Sequence, residues 1–408
     1  MSSRSLPTDL RWVAAVLLIV ARVGLGLDNG IGVVPPMGFN TWNAFHCGIN
    51  ETTIHEAVDA VVALRLDEAG YVYLNVDDCW MADTRVDGKL TGDASRFPNG
   101  MGHVAQYVHD HGLLFGIYES AGTKTCAGFP GSLGHEETDA KTFAEWGVDF
   151  LKYDNCNADG IPSLDRFSKM RNALNATGRR IYYSLSQWGT EDSWMWAPAV
   201  ANSWRTTQDI EPYWESIRFN FWQSQQHAER SARGAWLDPD MLEVGNGGLS
   251  HEENKSHFSL WCLVKAPLLL GMDLTTVTDD VLSIITNTAL IAINQDPQSH
   301  QATCFVGCNN FADWSIFATT VTGGDTVAIV INWGDTFLTT PSFAGQTVGV
   351  APFPGEEVYV ADLWTGKPVG FGAFDFERLK TVPLPAPIAP HDCVVYAFRR
   401  SSGAGSEL

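Results

Sequence analysis

Residues 142–156 read TFAEWGVDFLKYDNC, and the run Val148–Tyr153 within them has the apolar, β-rich composition of a buried strand. The run ends at once in Asp154, and the segment Ser163–Leu174 follows with apolar residues at helical spacing. Alternating strands and helices of this kind predict a parallel sheet covered by helices. The alternation extends in both directions, with a helical segment at Thr53–Ala69 and strand-like runs at Tyr71–Val76, Leu113–Tyr118, Ile181–Ser186 and Ala266–Leu270.

Three shorter runs bring the number of predicted strands to about eight. They are Met37–Asn40, Ala201–Arg205 and Ala235–Leu237. Eight strand–helix units predict a protein of the α/β class with a (β/α)8 TIM barrel. In such a barrel the carboxyl ends of the strands gather around one pocket, so the residues that follow each strand are the candidates for chemistry.

The pattern of apolar and turn-forming residues changes after Pro297. Helical periodicity disappears, and Gly, Pro and Asp separate the apolar runs Thr326–Asn332, Glu357–Leu363 and Cys393–Phe398. This pattern predicts a C-terminal antiparallel β-sandwich. We therefore expect a catalytic barrel over residues 27–297 and a sandwich domain over residues 298–408.

The beginning of the chain has the pattern of a secretory signal peptide, which we place at residues 1–26. Arg4 and Arg11 precede the apolar run Trp12–Ala21, which is too short to span a membrane. Eight cysteines and the sequons at Asn50, Asn175 and Asn254 agree with an oxidising compartment and a glycoprotein. The sequence thus predicts secretion, with delivery to a vacuole or lysosome as the alternative.

Composition excludes several classes of function. The formal net charge of −21 argues against nucleic acid and anionic membrane surfaces as partners. The chain contains no phosphate-binding loop, no His-Glu-x-x-His motif and no Gly-x-Ser-x-Gly motif. Cysteines and histidines lack zinc-ligand spacing, so we expect disulfides, no metal and no cofactor.

The predicted strand ends combine carboxylates, two cations and aromatic rings. Carboxylates accept paired hydroxyl hydrogen bonds and indole faces pack on C–H faces, so this set is typical of a sugar site. Glycoside cleavage needs one ionised and one protonated carboxyl. Asp154, with Lys152 nearby to keep it ionised, is the candidate nucleophile, and Asp209 is the candidate proton donor. The strand ends supply Trp42, Asp77, Asp78, Tyr118, Lys152, Asp154, Gln187, Trp188, Arg205, Asp209, Asp238 and Asp240.

Several long motifs resemble glycoside hydrolase family 27, whose eukaryotic members are α-galactosidases and α-N-acetylgalactosaminidases. They are MGFNTWN (37–43), LNVDDCW (74–80), GIYESAGTKTCAGFPGSLGHEE (116–137), TFAEWGVDFLKYDNC (142–156), SWRTTQDI (203–210) and DPDMLEVGNGG (238–248). The resemblance covers residues from about 36 to 297 and is strongest to the plant-type α-galactosidases.

The resemblance implies a retaining double displacement with Asp154 as nucleophile and Asp209 as acid/base. A covalent intermediate requires that the two carboxyl groups face each other across one cavity, about 5–5.5 Å apart. The resemblance also implies the disulfides Cys47–Cys79 and Cys126–Cys156. It assigns galactose-binding roles to Trp42, Asp77, Asp78, Tyr118, Cys126, Lys152, Gln187, Trp188, Arg205 and Asp240.

Three positions depart from the family pattern. Gln187 stands where plant members carry Glu, in the region that reads the group on sugar C2, while Leu237 and Phe39 replace Asn and Trp. Gln187 is not small, which favours galactose over a 2-acetamido sugar. The alternatives are α-N-acetylgalactosaminidase or β-L-arabinopyranosidase activity with the same mechanism, or a weakly active protein that binds galactose.

The remaining cysteines lie outside the family motifs. Cys304 and Cys308 are close enough in sequence to form a small loop disulfide, with Cys393 as a competing partner. Cys262 lies in an apolar helix-like run and is predicted to be a free buried thiol.

Overall fold

The computed structural model describes residues 27, 29–298, 300–340, 342–351, 356–370, 372–385 and 387–400. The signal-peptide prediction at residues 1–26 lies outside the described residues. The first part of the chain forms a parallel eight-stranded sheet in the order β7-β6-β5-β4-β3-β2-β1-β8. Its strands are β1 Met37–Asn40, β2 Tyr73–Val76, β3 Leu114–Ser120, β4 Phe150–Asp154, β5 Tyr182–Ser186, β6 Ser203–Arg205, β7 Trp236–Asp238 and β8 Leu268–Leu270.

The sheet curls into the predicted (β/α)8 barrel. Strand β1 pairs in parallel with both β2 and β8, with Gly38 opposite Tyr73 on one side and Leu269 on the other. Strands β7 and β8 do not pair directly, but Leu242, just after β7, forms a parallel bridge with Leu270. The circle of strands therefore closes through the segment that follows β7.

Helices surround the barrel because their apolar residues recur on one face. Gly147 and Gly178 cap the helices Glu136–Trp146 and Ser163–Thr177 in the left-handed conformation that glycine adopts without strain. The α-helices are α1 Trp42–Phe45, α2 Glu51–Ala63, α3 Met101–Asp110, α4 Glu136–Trp146, α5 Ser163–Thr177, α6 Ser193–Trp196, α7 Trp214–Gln225, α8 His251–Leu263, α9 Asp279–Ile285 and α10 Thr288–Asn294. Short 3-10 helices cover Ala197–Ala199, Ala228–Arg230, Leu274–Thr276, Gly345–Val348 and Arg378–Thr381.

Helix α2 is shorter than the sequence predicts. It ends at Ala63 instead of Ala69, because Arg65 adopts a positive φ of 57° and Leu66 donates its N–H to the carbonyl of Val61. No helix within the described ranges is long and apolar enough to cross a membrane.

The C-terminal part of the chain forms two antiparallel sheets. A five-stranded sheet has the order β13-β15-β11-β10-β9, and β12 pairs with β14. Apolar side chains between the sheets form a core of their own, and this is the predicted sandwich. The strands are β9 Thr303–Val306, β10 Trp314–Thr320, β11 Thr326–Asn332, β12 Ser342–Phe343, β13 Val358–Asp362, β14 Val382–Pro383 and β15 Cys393–Arg400.

The sandwich packs against the barrel through helices α7 and α8. Phe221 and Trp222 of α7 contact Phe317 and Trp333 at ring-centroid distances of 5.0–6.0 Å. Aromatic side chains bury large apolar areas, so this cluster stabilises the junction between barrel and sandwich.

The floor of the barrel interior is also aromatic. Phe150 of β4 and Tyr182 of β5 stack with their ring centroids 4.9 Å apart, and Tyr73 of β2 packs edge-on against Phe150. Such packed layers of side chains fill the interior of a (β/α)8 barrel, and active sites of this fold lie at the carboxyl ends of the strands.

Candidate active site

A pocket lies at the carboxyl ends of the barrel strands. The pocket gathers side chains from seven of the eight strand ends and from the Cys126 loop. Its lining comprises Trp42, Asn43, Asp77, Asp78, Tyr118, Cys126, Lys152, Asp154, Trp188, Arg205, Asp209, Asp240 and Met241.

Lys152 supplies a fixed positive charge on one side of the pocket. Its Nζ lies 2.7 Å from Oδ2 of Asp77, which also accepts a hydrogen bond of 2.7 Å from Asn40. Burial lowers the pKa of the ammonium, but Asp77, Asp154 and Asp240 outweigh this effect, so the pKa of Lys152 is raised. Lys152 therefore carries a positive charge at neutral pH.

Asp154 is almost completely buried, with 6% of its surface exposed. The Tyr118 hydroxyl donates to its Oδ2 at 2.9 Å, and the backbone N–H of Asn155 donates to its Oδ1 at 2.8 Å. Burial raises the pKa of Asp154 to about 6, although Lys152 and both hydrogen bonds lower it. Burial therefore outweighs the effect of the nearby Lys152 on the pKa of Asp154, and the carboxyl is still mostly ionised at pH 7.

Asp209 has the opposite environment. Its side chain is 65% exposed, and its Oδ1 lies 3.0 Å from Nη2 of Arg205. Burial by itself would raise the pKa of Asp209, but the positive charges of Arg205 and Lys152 have the larger effect. The pKa of Asp209 is therefore below its usual value. Arg205 also lies 2.9 Å from Asp240. As the pH falls, Asp154 therefore takes up a proton before Asp209, the reverse of the order that the predicted roles need.

Three strand ends place non-glycine residues at positive φ. Cys79 after β2, Trp188 after β5 and Asp240 after β7 have φ values of 77°, 67° and 83°. Such conformations cost free energy and persist where the surroundings hold them, typically at functional sites. Here the disulfide to Cys47 holds Cys79, and the carboxylate of Asp238 accepts the backbone N–H of Asp240 at 2.9 Å.

The disulfides Cys47–Cys79 and Cys126–Cys156 are both present, as the resemblance implied, and Cys304 pairs with Cys308. Cys262 and Cys393 are buried thiols, so Cys393 does not compete for Cys304. Sγ of Cys126 lies 3.2 Å from Oδ2 of Asp154. Because both sulfurs beside Asp154 are held in a disulfide, this cluster offers no thiolate to a metal ion.

Gln187 differs from its predicted position. It is fully buried outside the pocket lining, and its Nε2 donates to Thr190 at 2.7 Å and to Ser163 at 3.3 Å. The prediction that Gln187 contacts the sugar directly is therefore not supported by its place in the structure. The backbone turns at Trp188, which brings the indole into the pocket and leaves the preceding side chain behind it.

Two residues that line the pocket were not predicted from the sequence. Asn43 and Met241 each follow a residue that was predicted, Trp42 and Asp240. Both lie inside the quoted motifs, so their position next to a predicted strand-end residue was the feature that could have indicated that they line the pocket. A buried acid next to the pocket, Glu243, was also missed because nothing in the sequence indicates that it is buried.

Clustered carboxylates, two buried cations and two tryptophans at the mouth of a (β/α)8 barrel define a glycoside hydrolase. Comparison with known proteins identifies the family of glycoside hydrolases to which the chain belongs. The family described as Alpha galactosidase A matches residues 34–296, and the Alpha galactosidase C-terminal beta sandwich domain matches residues 311–398. The chain belongs to this α-galactosidase family, glycoside hydrolase family 27.

Relatives agree in sequence and in fold. Alpha-galactosidase 3 of Arabidopsis thaliana is 41% identical over 385 residues, which cover 94% of this chain and 86% of the relative. The structure of alpha-galactosidase I from Mortierella vinacea superposes with a TM-score of 0.85 at 33% identity, over 93% of this chain and 100% of that one. An α-galactosidase from Saccharomyces cerevisiae, solved with raffinose, has a TM-score of 0.81 at 29% identity, over 93% and 100% of the two chains.

Proposed function

We propose that this chain is a retaining exo-glycosidase that removes terminal α-linked D-galactose from galactosides, with Asp154 as nucleophile and Asp209 as acid/base. The observation that carries the proposal is that both acids line one pocket, where the charge of Asp209 acts on the pKa of Asp154. The names of the relatives support galactose as the sugar.

In the first step a carboxylate oxygen of Asp154 attacks the anomeric carbon, and the bond to the leaving oxygen breaks. Asp209 donates its proton to that oxygen, so the aglycone departs as a neutral alcohol. In the second step Asp209 takes a proton from water, and the water oxygen displaces Asp154. Two displacements at the same carbon release galactose with its α configuration retained.

The bound sugar has to reverse the order in which the two acids hold a proton. The side chain of Asp209 is 65% exposed, and a sugar ring packed over it would exclude water, which raises the pKa of a carboxyl group. The anion of Asp154 keeps Lys152, the Tyr118 hydroxyl and the Asn155 N–H as partners. We propose that substrate binding transfers the acidic proton of the pair to Asp209.

Substitution of the two acids tests the roles separately. Asp154→Asn should abolish turnover of an aryl α-galactoside, because the amide is a poor nucleophile. Asp209→Ala should retain turnover of substrates with good leaving groups and lose it for poor ones, because only the latter need the proton. The matched control is Asp165→Asn on helix α5, an exposed acid outside the pocket.

The stereochemistry of the product tests the mechanism itself. Proton NMR during the first minutes of the reaction should show α-galactose before mutarotation. Initial release of β-galactose, or near-normal activity of Asp154→Asn, would reject the assignment.

The sugar specificity no longer rests on Gln187, because this residue lies outside the pocket lining. Rates on aryl α-galactoside, aryl α-N-acetylgalactosaminide and aryl β-L-arabinopyranoside compare the three candidate activities. We expect the galactoside to have the highest kcat/KM. Galactose binding without turnover of any of the three would instead support a binding protein.

We propose that the protein is secreted and glycosylated, after removal of residues 1–26, and that residues 27–297 and 298–408 are its two domains. Asn50 and Asn175 are exposed, which supports both as glycan positions. Asn254 is buried with both amide atoms in hydrogen bonds, so we exclude it in the folded chain. Mass spectrometry of the secreted protein, before and after glycan removal, checks the new N-terminus and both sites.

A further inference from the structure

One lining residue is held by a buried acid that the proposed mechanism does not use. Nδ2 of Asn43 donates a hydrogen bond to Oε1 of Glu243, 200 positions further along the chain. Oε2 of Glu243 accepts from Nδ2 of Asn246 at 2.7 Å. Glu243 is 1% exposed, and its backbone N–H donates to Nε2 of His257 at 3.0 Å. The carboxyl group thus accepts one hydrogen bond from each of two amides.

The hydrogen bond to Glu243 determines which end of the Asn43 amide is available to a ligand. A carboxylate only accepts hydrogen bonds, so it selects the rotamer in which the NH2 group of Asn43 points toward it. The carbonyl oxygen Oδ1 then points away from Glu243. Within the described part of the chain, Oδ1 accepts no hydrogen bond, and Asn43 belongs to the pocket lining.

The backbone beneath Asn43 leaves room for this arrangement. Gly271, just after β8, lies so close that an added Cβ would come within 3.2 Å of Cβ of Asn43 and 3.5 Å of its Nδ2. The absence of a side chain at Gly271 therefore allows Asn43 to lie where its amide meets both Glu243 and the pocket.

We propose that Asn43 is a further sugar-contacting residue, whose Oδ1 accepts a hydrogen bond from a hydroxyl of the galactosyl unit, and that Glu243 is the positioning residue that keeps this oxygen facing the pocket. The inference rests on the proposed function, because it names one more contact in the same pocket. A neutral carbonyl acceptor complements the charged carboxylates on the other walls.

Glu243 also makes this contact sensitive to pH. Burial raises the pKa of Glu243 to about 7, with Asp240 and Glu211 adding to the rise and both amides opposing it. His257 stays neutral, because burial lowers its pKa to about 3. Once protonated, Glu243 has an O–H to donate, so it no longer selects the rotamer with the NH2 group of Asn43 toward it, and a flipped Asn43 whose NH2 faces the pocket becomes accessible. The contact through Oδ1 should therefore weaken below pH 7.

Asn43→Ala tests the contact. A hydrogen bond between neutral groups contributes little net free energy, so we expect KM for an aryl α-galactoside at pH 7.5 to rise about 2- to 12-fold. The value of kcat should stay within about twofold, since a uniform binding contact affects KM. Raffinose should show the same rise, because the contact is to the galactosyl unit. The control is Glu56→Gln, an exposed acid on α2 outside the pocket lining.

Glu243→Gln tests the positioning role. Glutamine offers one acceptor and one donor group, as the protonated acid does, so KM of the variant should exceed the wild-type KM at pH 7.5 and approach it at pH 5. In the Asn43→Ala background, Glu243→Gln should add no further rise in KM, because both substitutions act through one contact. Thermal melting monitors whether each variant folds.

The outcomes separate this inference from the function on which it rests. If the wild-type protein does not hydrolyse aryl α-galactosides, the proposed function fails. If it does and KM of Asn43→Ala equals that of the wild type, or rises with raffinose alone, the contact is refuted. Independent, multiplying effects of the two substitutions would refute the positioning role of Glu243.

Discussion

The disulfide Cys126–Cys156 links the stability of the barrel to the geometry of the pocket, and its removal gives the sharpest prediction. It closes a loop with a sequence separation of 30, whereas Cys304–Cys308 closes one of 4. Loop-closure entropy predicts a loss of about 3.6 kcal/mol for the first disulfide and about 2 kcal/mol for the second. The second therefore serves as the matched control.

The two disulfides differ more in their effect on catalysis. Sγ of Cys126 lies 3.2 Å from Asp154 and accepts a contact of 3.3 Å from the Tyr118 hydroxyl, which itself donates to Asp154. Without the disulfide, the loop that carries Cys126 is free to move, and Asp154 loses a packed neighbour. A displacement of about 1 Å at a reacting group reduces the rate by roughly 100-fold. We expect a loss of kcat/KM of that order.

Double serine variants test this, because a single substitution leaves a thiol that mispairs. Urea unfolding followed by tryptophan fluorescence gives the loss of stability, and an aryl α-galactoside gives kcat/KM. Cys304→Ser with Cys308→Ser should keep wild-type kinetics. The reasoning is refuted if removal of Cys126–Cys156 leaves kcat/KM unchanged, or destabilises the protein no more than removal of the short loop disulfide.

Two further predictions concern charge. Burial raises the pKa of Asp154 and Asp238 to about 6 and of Glu243 to about 7, so these acids stabilise the fold at low pH and lose that contribution as pH rises. The lowered pKa of His257 opposes them below pH 6.5 but is outweighed, so the free energy of unfolding should be about 3 kcal/mol higher at pH 5 than at pH 8, and equal melting temperatures would contradict this. Lys152→Met leaves its buried partner carboxylate unpaired, which should cost about 3–5 kcal/mol in urea unfolding and raise the pKa of the proposed nucleophile. Lys89→Met, which removes an exposed ion pair, should cost less than about 1 kcal/mol; a similar loss in both variants would contradict the argument.

Sequence alone was sufficient for the architecture. Hydrophobic periodicity is a local property, so the alternation of strands and helices predicted the barrel, and its loss after Pro297 predicted the antiparallel sheets. Parallel strands bring their carboxyl ends together by topology, which is why residues as distant as Trp42 and Asp240 were expected in one pocket and line it.

Tertiary structure alone decided how these side chains are oriented and charged. A pKa depends on burial and on charges from distant segments, so no local pattern indicated that burial would outweigh Lys152 at Asp154. Likewise, the position of a residue at the end of a strand predicts that it lies at the carboxyl edge of the barrel, but not in which direction its side chain points. A positive φ at Trp188 therefore leaves Gln187 behind the pocket. Packing across 200 positions pairs Asn43 with Glu243, a contact that only the closed barrel creates.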